Sequence, residues 1–496
     1  MNQAKFKKKS REARDKVGPL WGRSAWIGGT IACVTAWVLM RHYKGKLPGT
    51  KLDEQLYKAS KTNKPVTLKT LESIAFNAKT CGRVSFKSGG KFMRSLATRQ
   101  EPVMIENSPS KDWGAFDLLD LAKRKRDVTL SMAYIKGGVG SFTLGTERDR
   151  GGMIGSQKDY AINHADTLLE TFLEASFDNV SMLHRGSIEI WQRDFNMSFT
   201  DWKALGVNEK SIDNDLPPAA IHLAHPGVTI QTTFRATHLV INQLQGFKTL
   251  LIFPPSESEY LFPNIAHSFA YSQVRLEDDY NESSFPKLRG SGITAYVARL
   301  SPGDSVYIPP YWLVRDESVS LSLSLHVYSP SSSQTAFAEA FSEQVPMGEM
   351  QSEQPLRGLA VLLLLRAVMK SAVGQGACFE FPPSTSLESF ASHIVSSRYA
   401  PYWRLVRARL PTEFDTSKCF SNRETNATVA EVFAKNENLW GTAAEKIVSH
   451  LCKAASAHAA IKMRVLMDYV EQTARWAVGP RQTGAFINSC LATQIL

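Results

Sequence analysis

The clearest pattern along the chain is a period-two alternation of apolar and polar residues. From 320 to 327, Leu321, Leu323, Leu325 and Val327 alternate with serines at 320, 322 and 324, which predicts a strand with one buried face. Leu239–Phe253 predicts a β-hairpin that turns near Gln245–Gly246 and stops at two prolines. We therefore expect β-structure in the middle of the chain, with a polar, irregular loop over 256–292.

Two shorter runs extend this β-rich part toward the N-terminus. Val103–Ile105 and Val128–Tyr134 have the composition of strands. The segment Lys111–Arg126, which lies between them, has apolar positions at helical spacing and predicts a helix. We place the β-rich domain at 73–335.

Beyond residue 335 the periodicity becomes helical. Leu356–Met369 is strongly apolar, but Arg366 and the short length favour a buried helix over a membrane span. Thr385 with Glu388, and Thr428 with Glu431, predict capping boxes at the start of two further helices. Ala459–Val478 predicts an amphipathic helix. We assign 336–496 to a helical C-terminal region.

An uncharged stretch near the N-terminus predicts a membrane anchor. Ala25–Met40 carries no charge, aromatic residues flank it, and its small residues would allow another helix to approach closely. We therefore divide this end into a basic tail at 1–24, a single transmembrane helix at 25–43 and a linker at 44–72. A cleaved leader and a helix of a soluble protein are the alternatives.

Charge is distributed unevenly along the 496 residues. Positions 1–64 hold 15 Lys and Arg against 4 Asp and Glu, which accounts for the whole net charge of +11. The rest of the chain is neutral, so a nucleic-acid-binding body is not expected. Both flanks of the apolar stretch are basic, so the charge pattern does not fix its orientation. The six cysteines form no CxxC pair, and we interpret them as reduced thiols outside any metal cluster.

Several motifs between about 100 and 330 carry a specific resemblance. They are EPVMI at 101–105, GVTIQTTF at 227–234, QLQGFKTLLIFPP at 243–255, YLFP at 260–263, SPGDSVYIPPYW at 301–312 and the closing SLSLHVY strand. Together they resemble the JmjC-type cupins of the 2-oxoglutarate and Fe(II) oxygenase superfamily, closest to the asparaginyl hydroxylases. The resemblance implies an α+β fold in which helices flank a double-stranded β-helix, the jelly-roll barrel.

The residues at the metal positions do not suit iron. Members of this family hold Fe(II) with two His and one carboxylate. Aligned on the glycine of the QLQGFK turn and on PPYW, those positions are Thr233, Arg235 and Val314. Thr233 is a poor neutral ligand, Arg235 carries a permanent positive charge and Val314 offers no donor atom. We expect no metal and no cofactor, and therefore no enzyme activity.

Other residues leave two alternatives open. Lys248 matches the basic residue that binds the 2-oxoglutarate carboxylate, although the Thr that usually assists it corresponds to Ile230. Lys248 and Arg235 together could bind an anion, or an internal acid could neutralise Arg235. His222, His225, His238 and His326 lie on or near the same strands, and we interpret them as structural residues rather than as a rearranged metal site.

The sequence thus predicts a non-catalytic, membrane-anchored accessory subunit. Its expected partners are the lipid bilayer and other membrane-protein subunits, which would bind through the transmembrane helix and the C-terminal helices, and not nucleic acid. The mitochondrial inner membrane is the expected location, with the endoplasmic reticulum as the alternative. An active protein hydroxylase with a rearranged site and a module that binds a small carboxylate are the competing functions.

Overall fold

A computed structural model describes most of the β-rich and helical regions. The described residues are 77–87, 90–108, 110, 129–134, 163–168, 186–191, 219–261, 269–271, 292–345, 354–374, 378–379, 381–382, 384–400, 414–415, 437–456, 458–479 and 482–492. They all belong to one compact unit that spans 64–496. The predicted tail, transmembrane helix and linker at 1–72, the helix at 111–126 and the cap at Thr428 lie outside them.

Fifteen strands form in the described part of the N-terminal two thirds. They are β1 (Asn77–Thr80), β2 (Gly82–Ser85), β3 (Val103–Glu106), β4 (Thr129–Tyr134), β5 (Asn163–Leu168), β6 (Gly186–Trp191), β7 (Ala219–Ala224), β8 (Thr229–Arg235), β9 (His238–Gln245), β10 (Lys248–Phe253), β11 (Phe269–Tyr271), β12 (Thr294–Leu300), β13 (Ser305–Ile308), β14 (Leu313–Ser318) and β15 (Ser322–Ser329). The strands predicted around 103–105 and 128–134 are therefore confirmed.

The strands form two sheets whose connections are those of a jelly roll. The six-stranded first sheet has the order β1-β12-β10-β14-β8-β11, and the nine-stranded second sheet has the order β2-β3-β13-β9-β15-β7-β6-β4-β5. From β7 onward the chain passes from one sheet to the other at almost every turn, and the three central strand pairs in each sheet are antiparallel. The predicted α+β jelly-roll barrel is confirmed.

The predicted hairpin at Leu239–Phe253 is wrong. β9 pairs with β13 and β15, whereas β10 pairs with β12 and β14 in the opposite sheet. The crossing occurs at Gly246, whose φ is +70° and where a Cβ atom would lie 1.9 Å from the carbonyl oxygen of Leu321. Only glycine has both the conformation and the space for this crossing. The turn therefore closes the barrel instead of pairing its flanking strands.

Both faces of the first sheet are buried, and this explains the unbroken burial of β10. Leu250 and Ile252 point into the barrel, where they pack with Leu239 and Ile241 of the second sheet. On the opposite face, residues of β8, β10 and β14 share one core with the C-terminal helices. β15 is likewise buried on both faces, so its serines are not the solvent-exposed face that the alternation predicts.

Eight α-helices form in the described ranges; most of them cover the first sheet, whereas the first packs with Val103, Ile105 and Tyr307 of the second sheet. They are α1 (Gly90–Ala97), α2 (Ser258–Leu261), α3 (Ser332–Ser342), α4 (Gln354–Gly374), α5 (Leu387–Ile394), α6 (Glu437–Ala455), α7 (Lys462–Val478) and α8 (Thr483–Phe486). α4 and α7 confirm the buried helix predicted at 356–369 and the helix predicted at 459–478, the latter preceded by a short 3₁₀ turn. Within the described ranges, no helix is both long enough and apolar enough to cross a membrane.

Two local predictions in the helical region need correction. α5 is capped by Ser386 and Ser389, not by Thr385 and Glu388, because the hydroxyl of Ser386 accepts a hydrogen bond from the backbone of Ser389 at 3.2 Å and Ser389 reciprocates. The prediction of reduced thiols holds for Cys81, which is free and buried, and is wrong for three other cysteines. Cys378 and Cys452 form a disulfide that joins the segment after α4 to α6, and Cys490 is disulfide-bonded as well.

Candidate functional site: the barrel mouth and interior

The structure brings the three predicted metal positions together. β8 and β14 are antiparallel neighbours in which Thr233 pairs directly with Val314, and Arg235 lies two residues further along the same face of β8. All three side chains line one cavity of about 20 Å³. Its remaining lining consists of Thr237, Leu239, Ile308, Pro309 and Trp312. We call this space the mouth cavity.

The mouth cavity has neither the donors nor the space of an oxygenase site. A hydroxyl, a guanidinium and an isopropyl group occupy the three positions, and only the first has a lone pair to offer a metal. A volume of about 20 Å³ holds roughly one water-sized species. Across the described ranges, no cluster of three or more His, Cys, Asp or Glu residues is placed to hold a metal ion.

Lys248, which aligns with the residue that binds the cosubstrate carboxylate in the family, binds a carboxylate of the protein instead. Its Nζ donates hydrogen bonds to Oδ2 of Asp316 at 2.7 Å and to Oγ of Ser324 at 2.9 Å. The side chains of Lys248 and Asp316 are 0% and 6% exposed. Arg235 lines the mouth cavity and Lys248 does not, so the two do not form the joint anion pocket that the sequence suggested.

Asp316 is the functional residue that the sequence reasoning missed. It lies two residues after Val314 on β14, and the period of a strand therefore points it into the barrel on the same face as Val314. The register places it opposite Leu250, two residues from Lys248 on the same face of β10. The alternation of β14 was the signal that could have revealed it.

The hydrogen bonds continue from Lys248 to a pair of histidines. Ser324 Oγ lies 3.0 Å from Nε2 of His326, and the ring of His326 stacks on His222 with centroids 3.7 Å apart. Burial lowers the pKa of His326 well below its usual value, and His222, Lys248 and Arg235 lower it further. His326 is therefore a neutral imidazole inside the barrel, where it forms a hydrogen bond with Ser324 and stacks on His222.

The other two histidines lie away from the mouth cavity lining. His238 Nδ1 lies 2.8 Å from the hydroxyl of Tyr307, a residue that packs with Val103 and Ile105 on the outer side of the second sheet. His225 is buried after the end of β7. The placement of these side chains agrees with the interpretation of His238 and His225 as structural residues.

A family model described as "Cupin-like domain" matches residues 90–328. The matched segment contains β3 to β14 and β15 up to Tyr328, and with them Lys248 and all residues that line the mouth cavity. This segment is a cupin domain of the JmjC type. The family resemblance read from the motifs is thus confirmed.

In this cupin domain, the strand that carries Thr233 and Arg235 is braced from outside by the C-terminal helices. Phe234 lies between them and faces the opposite way, where the guanidinium carbon of Arg464 on α7 is 3.6 Å from its ring centroid. Asp468 lies 3.6 Å from Arg464 and 2.7 Å from Arg398, and Arg398 also contacts Glu471. A buried network of charged residues therefore packs against the outer face of β8, the strand that carries Thr233 and Arg235.

The PPYW motif of the cupin domain is held by the same strand and by α3. Tyr311 has a φ of +66°, an uncommon value for a residue other than glycine. Its backbone N–H donates to the carbonyl oxygen of Arg235 at 2.8 Å, and its hydroxyl lies 2.8 Å from Oγ of Ser333 at the start of α3. These bonds fix the turn that leads into Val314 and so fix the shape of the mouth cavity.

Proposed function

We propose that this protein is a non-catalytic member of the JmjC-type cupins that serves as a membrane-anchored accessory subunit of a larger complex. The observation that carries the proposal is the chemistry of the mouth cavity. The three positions that hold iron in enzymes of this type are Thr233, Arg235 and Val314, and they meet at one small cavity. A guanidinium repels a divalent cation, and the low dielectric of a barrel interior strengthens that repulsion.

The ion pair inside the barrel supports the same proposal. A 2-oxoglutarate molecule that used Lys248 would have to replace Asp316, which is built into the neighbouring strand. Breaking a buried, hydrogen-bonded charge pair is costly, because one charge is then left without a partner. The competing function, an active protein hydroxylase, would need both a different ligand set and an open cosubstrate site.

The role as an accessory subunit draws on the two ends of the chain. The uncharged stretch at 25–40 has the composition of a single membrane span, and its small residues suit packing against another helix. The C-terminal helices hide one face of the barrel and add a large surface of their own. Neither feature is needed for oxygenase chemistry, and both suit assembly with other subunits.

The disulfides bear on the location within the cell. A bond between Cys378 and Cys452 persists in an oxidising compartment and is rare in the cytosol. We therefore propose that the body of the protein lies on the oxidising side of its membrane. This orientation favours the endoplasmic reticulum, whose lumen is oxidising, over the mitochondrial inner membrane with the body in a reducing matrix.

Solubilisation in a mild detergent followed by native electrophoresis tests the proposal. We expect the full-length chain to migrate in a complex well above its own 55.1 kDa together with other membrane proteins. We also expect no succinate when the purified complex is incubated with Fe(II), 2-oxoglutarate and ascorbate. Migration as a free monomer would contradict the accessory role, and iron-dependent release of succinate would contradict the lack of catalysis.

A further inference from the structure

The first folded elements of the chain carry a surface with one sign of charge. Residues 77–106 hold six Lys and Arg against two Glu, whereas residues 107–496 hold 36 Lys and Arg against 40 Asp and Glu. The six cations of the first range are all exposed, and they are Lys79, Arg83, Lys87, Lys91, Arg94 and Arg99. The positive charge of the folded body is therefore concentrated in one short segment.

This segment folds as one parallel unit, β2–α1–β3. β2 pairs with β3 in parallel, and α1, which connects them, packs Phe92 and Leu96 on the second sheet. Because these two residues face the sheet, the opposite side of α1 faces outward. Residues three apart share a face of a helix, and Lys91 and Arg94 accordingly lie together on the exposed side of α1.

Both acids of the segment and two of its cations have partners within the described residues. Arg83 donates a hydrogen bond to Glu106 at 3.2 Å, and the hydroxyl of Tyr296 donates to Glu101 at 3.2 Å. The ammonium group of Lys79 lies over the ring of Tyr296, 5.7 Å from its centroid. We call the other four cations the basic surface: Lys87, Lys91, Arg94 and Arg99.

A set of neighbouring exposed cations suits a partner that presents many anions. A bilayer with anionic phospholipids is such a partner, and each Lys or Arg near it strengthens binding about fivefold, which corresponds to about 1 kcal/mol. The chain itself favours a bilayer over a nucleic acid, because the uncharged stretch at 25–40 has the composition of a membrane span. Residues 44–76 can extend over at most roughly 120 Å, so a bilayer that holds that stretch stays within reach of the basic surface.

We propose that the basic surface docks on the headgroups of a bilayer that contains anionic phospholipids, and that docking holds β2 and α1 against the membrane. The proposal rests on the membrane anchoring proposed above. Four cations at about fivefold each favour the docked state by up to several hundredfold over a body that is tethered but undocked. Because the cations are exposed, salt weakens this attraction.

The reactivity of individual lysines provides the first test. The full-length chain is reconstituted in nanodiscs of phosphatidylcholine alone or mixed with phosphatidylglycerol, and acetylation of each lysine is followed by mass spectrometry. We expect Lys87 and Lys91 to react at least about fivefold more slowly in the anionic discs and to recover in high salt. Lys370 and Lys453, which are exposed on α4 and α6, should react equally in both. Equal rates for Lys87 and Lys91 in the two kinds of disc would overturn the proposal.

Soluble anions distinguish a bilayer surface from other partners. A short RNA and glycerophosphate are each added to the neutral discs. We expect glycerophosphate to protect Lys87 and Lys91 far less than the anionic discs do, since one phosphate does not engage four cations. Equal protection by glycerophosphate would indicate a site for a single phosphate and would contradict docking on a surface. Protection by the RNA together with none by anionic lipid would identify nucleic acid as the partner instead.

Matched variants assign the effect to the basic surface. Arg94→Gln with Arg99→Gln removes two of its cations and keeps both reporter lysines, and docking is expected to weaken about 25-fold. Arg299→Gln with Lys370→Gln removes two exposed cations of β12 and α4 and should leave the protection unchanged. All four positions are exposed, so both double variants should keep the wild-type Tm. Equal protection in the two double variants would overturn the proposal.

The neutral discs test the anchor separately. Incorporation in phosphatidylcholine discs reports on the transmembrane helix expected at 25–43, whereas protection that depends on lipid charge reports on the basic surface. A chain that enters neither kind of disc would contradict the anchor. Cosedimentation of the same protein with liposomes of the two compositions then decides on docking. Recovery with anionic liposomes alone would support the basic surface, and recovery with neither would overturn it.

Discussion

The ammonium group of Lys248 lies 2.7 Å from a carboxylate oxygen of Asp316, and both side chains are buried inside the barrel. In the oxygenases that this domain resembles, the matching lysine meets a carboxylate of the cosubstrate. Here the protein supplies the carboxylate from β14, the strand that also carries Val314. The same strand thus carries both the valine that aligns with a metal ligand and the carboxylate that pairs with Lys248.

Removal of one member of this pair should be strongly destabilising. Lys248→Met leaves the carboxylate of Asp316 buried without its cation, and we expect a loss of about 3–5 kcal/mol in the free energy of unfolding. The double variant Lys248→Met with Asp316→Leu should recover most of that loss, because no unpaired charge remains. Urea denaturation of the two variants measures the difference. Equal destabilisation in both would show that the ion pair is not the cause.

Gly246 should tolerate no side chain. Gly246→Ala places a Cβ atom 1.9 Å from the carbonyl oxygen of Leu321 at a positive φ, so we expect a loss of more than about 2 kcal/mol or failure to fold. The matched control is Gly441→Ala in α6, where a Cβ atom meets nothing within 4 Å and where the helix should gain about 0.5–1 kcal/mol. Thermal melts of the two variants should therefore shift in opposite directions.

The disulfide between Cys378 and Cys452 should contribute substantially to stability. It closes a loop with a sequence separation of 74 residues, for which the chain-entropy relation gives about 4 kcal/mol. Cys378→Ser should lower Tm, and a reductant should lower the Tm of the wild-type protein by that amount plus its effect on the disulfide at Cys490. Peptide mapping without reduction should recover the cross-linked pair. Free alkylation of both cysteines in protein taken directly from cells would contradict an oxidised body.

The sequence predicted which residues meet at the mouth cavity better than it predicted the connections around them. The spacing from Gly246 and from PPYW placed Thr233, Arg235 and Val314 at one mouth, because alternate residues of a strand share a face and the motifs fix where each strand ends. The same spacing does not show whether β9 and β10 pair with each other as a hairpin or lie in different sheets. That choice is made at Gly246 by the close approach of Leu321, which lies 75 residues away in the chain.

Contacts over long distances explain the other errors. Cys378 and Cys452 belong to no motif, and they meet only because α4 and α6 pack together. The partner of Lys248 comes from a strand that begins 65 residues later, and local patterns do not show which strands will be neighbours. Both faces of β15 are buried because one lines the barrel, where its serines bond to Gln243 and Lys248.

The buried carboxylate of Glu471, in the network of charged residues that packs against β8, should make the stability of the protein depend on pH. Burial, helped by the charge of Asp468 and opposed by Arg398 and Arg464, raises the pKa of Glu471 to about 7. Since the folded protein binds this proton more tightly than the unfolded chain does, its stabilising effect is complete below pH 4.5 and is lost as the pH rises through about 7.

The variant Glu471→Gln isolates this effect, because glutamine keeps the shape and does not ionise. We expect the stability of the wild-type protein relative to the variant to fall between pH 5 and pH 8 in urea titrations. Asp468 and Arg398 keep their own contact at 2.7 Å in the variant, so the network is not dismantled. A pH-independent difference between the two proteins would exclude Glu471 as the titrating group.

Restoring the ligands tests whether the metal positions are assigned correctly. Thr233→His, Arg235→Asp and Val314→His together place two imidazoles and a carboxylate at the mouth of the barrel. We expect this triple variant to bind Fe(II) or its substitute Mn(II), since a facial triad of this type is sufficient for such metals. A control with the same three residue types at exposed positions of β12 should bind none. Metal binding by the control alone would refute the assignment.

The most direct measurement is the metal content of the wild-type protein. The full-length chain is purified without chelators, loaded anaerobically with excess Fe(II), passed over a desalting column and analysed by mass spectrometry of its metals. We expect an iron content no higher than that of an unrelated protein treated in parallel. About one equivalent of iron per chain, lost when His222 or His326 is replaced by alanine, would contradict the proposal that this cupin domain has given up its metal.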